Sequence, residues 1–146
     1  MLTNDPNDVL ATKLRPVLTR LVRKLRKLSP ADTPLSQSER SVLVLLEQNG
    51  ELLSAELAVM EKITPQSMGQ IINHLSALNL IDKKVSPTDK RKILLSISAQ
   101  GAKMIQQVRN ERDEWLSKAL RQTCTPAEQQ LLLQAIDSLN KLVDFE

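Results

Sequence analysis

Gln66, Gln70 and Asn73 place three carboxamides four and three residues apart, interleaved with Thr64, Ser67 and the only histidine, His74. Each carboxamide carries a donor pair and an acceptor side by side, which can bond bidentately to the edge of a nucleobase. Stepping about 100° per residue along a helix puts Gln66, Gln70, Asn73 and Ala77 on one face. Ser67 and His74 fall on one flank of that face, Gly69 and Ser76 on the other. No charged residue occurs between Thr64 and Leu80. A merely solvated helix usually carries Lys and Glu there. Amides and hydroxyls suit a surface that approaches base edges and hydrogen-bonds to them. The second chemically equipped stretch is Asp89-Lys90-Arg91-Lys92, three consecutive cations after one acid.

Catalysis is poorly supplied by comparison. One His, one Cys, no Tyr and no Gly-rich phosphate loop leave little material for acid–base, nucleophilic or phosphoryl chemistry. As a general base His74 needs an orienting partner on its own helix, where its neighbours are amides and hydroxyls. One His and one Cys do not make a metal site. No enzymatic activity, metal or cofactor is expected.

The amides need a helix to hold them, and the sequence supplies its start. Thr64-Pro65 is a hydroxyl N-cap followed by proline at the first helical position. Met68, Ile71, Ile72, Leu75 and Leu78 then form the apolar stripe opposite the amides. After Leu80 the period changes to that of strands: Ile81–Val85, turn chemistry at Ser86-Pro87-Thr88-Asp89, and a second strand over residues 93–98. The three cations therefore sit at the tip of a hairpin, with Lys84 on its first strand. A helix shaped for a major groove beside a basic hairpin is the layout of a winged helix-turn-helix.

The rest of the chain frames this pair. Leu10, Leu14, Val17/Leu18, Leu21, Leu25 and Leu28 predict a first helix over residues 9–28, capped at Asn7 or Asp8 and stopped by Ser29-Pro30, with residues 1–8 frayed. Pro16 lies inside it and is expected to kink or break it. Its polar side is basic, which serves solubility or DNA phosphates equally well. A loop follows over Pro30 to Pro34. Ser36-Gln37-Ser38-Glu39 is a capping box opening a second helix with Val42, Leu43, Leu45 and Leu46 inward, ending at Asn49-Gly50. Ser54 is expected to cap a short third helix, Ala55 to Glu61, with Leu57, Ala58 and Met60 inward. Two short helices joined tightly at Lys62-Ile63, the second polar outside, have helix-turn-helix spacing.

Beyond the hairpin, Ser98 is a candidate cap for a long helix from Ala99 to about Gln122. Thr125-Pro126-Ala127-Glu128 opens a last one with Leu131, Leu132, Ala135/Ile136, Leu139 and Leu142/Val143 apolar. The order is α-α-α-α-β-β-α-α, with a minor strand near Leu52-Leu53: a mainly α protein with a small β wing. The terminal helices carry more apolar surface than a small winged part can cover, so pairing with a second copy is expected.

At 146 residues the chain is long enough for one cored domain, here built without aromatics beyond Trp115 and Phe145. Residues 1–98 hold 14 Lys/Arg against 10 Asp/Glu, residues 99–146 hold 6 against 7, and residues 82–92 hold 5 against 2. Charge concentrated on the hairpin is the pattern of a nucleic-acid binder, although a solvated surface can carry it too. No run approaches the roughly 18 apolar residues of a membrane span, and the N-terminus lacks a signal-peptide core. A lone cysteine, Cys124, fits a reducing compartment, so a cytoplasmic protein without a membrane partner is expected.

These segments, in this order, resemble the MarR family of bacterial and archaeal transcription regulators over essentially the whole chain. Leu35-Ser36-Gln37-Ser38-Glu39, Ser54-Ala55-Glu56-Leu57-Ala58 and Ile63-Thr64-Pro65-Gln66-Ser67-Met68 match the three helix starts of the reading domain. Asp89-Lys90-Arg91 followed by Leu95-Ser96-Ile97-Ser98 and Gly101 is similar to the family's Asp-x-Arg wing running into a Ser/Thr-x-x-Gly helix start. The resemblance implies a single domain over 1–146, with 35–98 as the winged DNA-binding part and 9–28 and 99–146 as dimerisation helices. It implies a homodimeric regulator, a repressor released by a small aromatic or phenolic effector, reading a pseudo-palindromic operator in double-stranded DNA. Thr64, Gln66, Ser67, Gln70, Asn73 and His74 are the candidate contacts on the reading helix, with Lys84, Asp89, Lys90, Arg91 and Lys92 on the wing. In the family pattern Arg91 enters a minor groove and Asp89 orients it or the wing backbone. The chain departs from the common pattern at His74, where relatives often carry Arg, at Asn79 in place of Gly, at Lys83-Lys84 in place of one Arg, and at Gly69 in place of Thr or Ser. No cysteine lies in the first helix, so oxidant sensing there is not expected. The competing reading is a winged scaffold that binds a protein instead of DNA, against which the basic wing argues.

Overall fold

A computed structural model describes residues 5–28 and 35–146. The elements are α1 (Pro6–Lys27), α2 (Gln37–Asn49), β1 (Leu52–Leu53), α3 (Ser54–Glu61), α4 (Pro65–Ala77), β2 (Ile81–Val85), β3 (Ile93–Ile97), α5 (Ala99–Thr123) and α6 (Pro126–Val143). The order is the expected one, including the minor strand. The loop expected at Pro30 to Pro34, the stop at Ser29-Pro30 and the fraying of residues 1–4 lie outside the described residues.

Helix starts follow their caps. The Ser36 hydroxyl accepts from the Glu39 amide at 3.2 Å and the Glu39 carboxylate accepts from the Ser36 amide at 2.7 Å, closing the predicted box on α2. Thr125 and Glu128 close the same box on α6. Two starts differ from expectation, and of the kink or break expected at Pro16 the break is not seen. Asp5, not Asn7 or Asp8, caps α1: its carboxylate accepts from the Asn7 amide at 2.7 Å and Pro6 takes the first helical position, so residues 6–8 are helix. Pro16 neither breaks nor ends α1, which runs unbroken across it. Losing one amide donor is tolerable in a helix of 22 residues. Ser54 is the first residue inside α3, not its cap; β1 carries the extended chain up to Leu53, whose amide is satisfied by Glu56 at 2.7 Å.

The chain divides into two compact units, one running to Arg109 and one from Asn110 to Glu146, with the division inside α5. The core of the first unit is aliphatic. Val42, Leu43 and Leu46 of α2, Leu57 of α3, Met68 and Leu75 of α4, and Leu80 are essentially inaccessible, and Leu95 and Ile105 nearly so. Each contributes about 1.5–3 kcal/mol of burial. Met60 points outward at 45% exposure, against expectation, because α3 is too short to bury more than its Leu57–Ala58 stripe. The sheet is antiparallel in the order β1-β3-β2, pairing Leu52 with Leu95, Ile81 with Ile97 and Val85 with Ile93. Arg109 on α5 forks onto Glu47 of α2, its Nη1 donating to Oε1 at 3.1 Å and its Nη2 to Oε2 at 2.5 Å. In the second unit the Gln129 amide donates to the carbonyls of Leu120 and Cys124 at 3.2 and 3.1 Å, bracing the turn between α5 and α6.

Two apolar faces are left open. On α1, Val9, Leu10, Val17, Leu18, Leu21 and Val22 are exposed and no residue is buried. On α6, Leu131, Leu132, Leu133, Ile136, Leu142 and Val143 are exposed and again none is buried.

Candidate nucleic-acid interface

α4 is held from three sides by α2, α3 and β2. Its start is the predicted one: Thr64 caps, its hydroxyl accepting from the Ser67 amide at 3.1 Å and donating to the Ser67 hydroxyl at 2.9 Å. Met68, Ile72 and Leu75 are buried and Ile71 and Leu78 half-buried, so the stripe packs as its period requires. The opposite face is correspondingly outward. Thr64, Gln66, Ser67, Gln70, Asn73, His74 and Ala77 are all exposed. Gly69 sits beside them with nothing within 4 Å of where its Cβ would stand.

The tight turn into α4 runs through Lys62, which adopts a left-handed φ of 56° as the last residue of the α3 end. Its amide donates to the Val59 carbonyl at 3.2 Å and the Ile63 amide to the Ala58 carbonyl at 3.1 Å. The other end of α4 turns at Asn79, also left-handed with φ 57°. An Asn side chain tolerates that conformation better than most, so the usual Gly is not needed.

The wing is the β2–β3 hairpin, closed at its tip by its own polar groups. The Ser86 amide donates to the Lys92 carbonyl at 2.9 Å, and the Lys92 amide to the Asp89 carbonyl at 3.0 Å. Asp89 then grips Arg91. Its Oδ1 accepts from the Arg91 amide and from Nε, both at 3.1 Å, while Oδ2 accepts from Nη2 at 3.3 Å. The Arg91 side chain bond and then its amide hold the Asp89 carboxyl below its ordinary range. Arg91 nevertheless stands 91% exposed, so its guanidinium is aimed by Asp89 without being covered. Lys90 and Lys92 are exposed on either side. Lys84 is exposed as well, with Nζ 3.4 Å from Oε1 of Glu51.

Reading the sequence alone missed one residue of this surface. Glu39 uses Oε2 for the α2 cap and Oε1 to hold Nδ1 of His74, 35 residues on. Burial alone would raise the Glu39 carboxyl, but the His74 bond and the Ser36 amide more than reverse it, leaving it below its ordinary range. The available signal was that a capping box occupies only one carboxylate oxygen. The partner that the histidine was expected to need on its own helix comes from α2 instead.

A model of the MarR family matches residues 33–92. Over 140 residues the chain is 35% identical to an HTH-type transcriptional regulator of Mycobacterium bovis, spanning 96% of each. It is similar to the solved structure of a transcriptional regulator from Pseudomonas aeruginosa, with a TM-score of 0.83 and 28% identity over 97% of this chain and 99% of that one. A MepR mutant of Staphylococcus aureus, solved bound to an oligodeoxyribonucleotide, has a TM-score of 0.69 at 15% identity, covering 92% of this chain and 97% of that one.

Proposed function

The chain belongs to the MarR family of transcriptional regulators, a family of regulators and not of enzymes, and on that basis we propose that it is a sequence-specific DNA-binding repressor acting as a homodimer. The observation that carries this reading is the pairing of an uncharged amide face on α4 with a wing whose arginine is aimed outward by Asp89. The α4 helices of two copies enter successive major grooves of a pseudo-palindromic operator, and the wings take the flanking minor grooves. Thr64, Ser67 and His74 flank the readers Gln66, Gln70 and Asn73; Lys84, Lys90 and Lys92 neutralise phosphates. The whole chain acts as one MarR-like domain, with 9–28 and 99–146 as the dimerisation helices. It works in the cytoplasm; among the described residues no helix is long and apolar enough to cross a membrane. Release by a small aromatic or phenolic effector follows from the family resemblance. The test is binding to genomic fragments, beginning with the DNA upstream of its own gene. A salt-dependent shift supports the reading, and its absence on every fragment favours a protein-binding scaffold.

Two expected results follow from this arrangement. Gln66→Ala or Gln70→Ala should cost about 1–3 kcal/mol on the operator and little on random DNA, because carboxamides discriminate base edges. Fluorescence anisotropy on both DNAs decides it: equal losses would make these residues phosphate contacts. The open apolar faces of α1 and α6 should be covered by a second copy, so light scattering at micromolar concentration should give twice the mass of one chain. A stable, folded monomer at that concentration rules out the dimer.

A further inference from the structure

We propose that Glu39 is a positioning residue for DNA binding: it holds the His74 imidazole by Nδ1 so that Nε2 faces outward and, once protonated, donates to a DNA phosphate. This rests on the DNA-binding reading above.

The geometry is asymmetric in a way that a plain structural contact does not require. The Glu39 side chain is 11% exposed and that of His74 is 45% exposed, so the carboxylate is enclosed while the ring opens to solvent. A carboxylate only accepts, so Nδ1 must carry its proton in the neutral ring. Nε2 is then a bare lone pair on the open side of a ring that flanks the face proposed to meet DNA. A lone pair meeting a phosphate oxygen repels it; an N–H attracts it. Binding DNA therefore favours taking a proton from solvent onto Nε2, one per subunit, giving an imidazolium bonded to Glu39 on one side and phosphate on the other. Glu39 serves twice, by fixing the ring's orientation and by offsetting the charge.

The elements packed against α4 carry Arg40 and Glu47 besides Glu39 on α2, Glu56 and Glu61 on α3, and Asp82, Lys83 and Lys84 on β2. Of these, Glu47 is bonded to Arg109, Glu56 to the Leu53 amide, Glu61 to the Ser41 hydroxyl and Lys84 to Glu51. Among the described residues, His74 is the titratable partner that bears on Glu39, and α4 has no other ionisable side chain.

The chain has a single histidine, so its ring signals in ¹⁵N NMR are unambiguous. The free protein should show the Nδ1–H tautomer. Glu39→Gln keeps the α2 cap, because Gln also completes a capping box, but offers His74 an N–H. The ring should then switch to Nε2–H. On the operator, wild-type affinity should rise about tenfold or more from pH 8 to pH 6, a coupling of ordinary size. Glu39→Gln should flatten that profile with little change in Tm, and His74→Gln should flatten it as well. A wild type that binds the operator with a flat profile overturns this inference and leaves the DNA reading standing. So does a Glu39→Gln protein that keeps the wild-type profile, or a free wild type carrying Nε2–H. A wild type that binds no genomic fragment overturns the DNA reading, and this inference with it.

Discussion

Gly101→Ala should destabilise the winged part by about 3 kcal/mol, the upper end of what overpacking costs, and lower Tm by roughly 6–12 °C. A Cβ on Gly101 would stand 2.2 Å from the Leu80 carbonyl oxygen and 2.9 Å from Cγ1 of Ile97. The first of these is backbone and cannot rotate away. That carbonyl is already engaged, accepting from the Ser98 amide at 3.0 Å. Ser98 is buried and joins the same knot, its hydroxyl donating to the Asn79 carbonyl at 2.7 Å and accepting from the Gly101 amide at 3.0 Å. Pushing the first turn of α5 outward therefore strains the end of α4 and the root of the wing together. Operator affinity should fall even in the fraction that remains folded. Gly69→Ala is the control. That glycine lies mid-helix with nothing within 4 Å of its missing Cβ, so alanine should raise stability by about 0.5–1 kcal/mol. Thermal unfolding of both variants at one protein concentration reads the pair, and equal midpoints would mean that the knot around Leu80 yields easily.

Why some of this was legible and some not is itself physical. The capping boxes at Ser36–Glu39 and Thr125–Glu128, the Thr64-Pro65 start and the Ser98 cap are local: every partner lies within three residues, so spacing alone identifies them. The α4 stripe was legible because burial of Met68, Ile72 and Leu75 repeats with the helix. Asp5-Pro6 carries the same polar-cap-then-proline signal as Thr64-Pro65. It lies ahead of the apolar periodicity, which begins only at Leu10, so periodicity alone places the start too late. Ser54 is a good capping residue by type, and pairing of β1 with β3, some forty residues downstream, moved the cap to Leu53. Glu39–His74 belongs to this second kind. Each residue has a local role that explains its presence, and only the crossing of α2 over α4 reveals the bond. Gly101 is similar: its place after the Ser98 cap was visible, but the Leu80 carbonyl that forbids a side chain there was not.

Arg91→Lys should weaken operator binding by about 1–3 kcal/mol, roughly 5- to 150-fold, although the charge is kept. Three consecutive cations on a hairpin tip cannot all point the same way, and the structure separates them by partner: Asp89 grips the middle one through its amide and its guanidinium. An ammonium cannot take the two-atom fork on Asp89, so a lysine there loses both its aim and the planar group suited to a narrow A·T-rich minor groove. A model in which the wing is only charge predicts almost no effect. Preference for A·T outside the half-sites should relax in the variant. Lys92→Ala should behave differently, weakening operator and random DNA alike and reducing the log–log salt slope by about 1–2 per dimer. Asp89→Ala should partly copy Arg91→Lys, despite removing a negative charge that repels DNA. Acidity distinguishes the wing from α4. Because Arg91 holds the Asp89 carboxyl below its ordinary range, the wing stays formed throughout pH 5–8, and its grip loosens only as pH falls through that depressed value. A pH dependence of operator binding between 6 and 8 should therefore survive Arg91→Lys and vanish in Glu39→Gln. If Asp89→Ala instead binds more tightly and Arg91→Lys is silent, the grip seen between these two residues has no part in recognition and the wing is a basic patch.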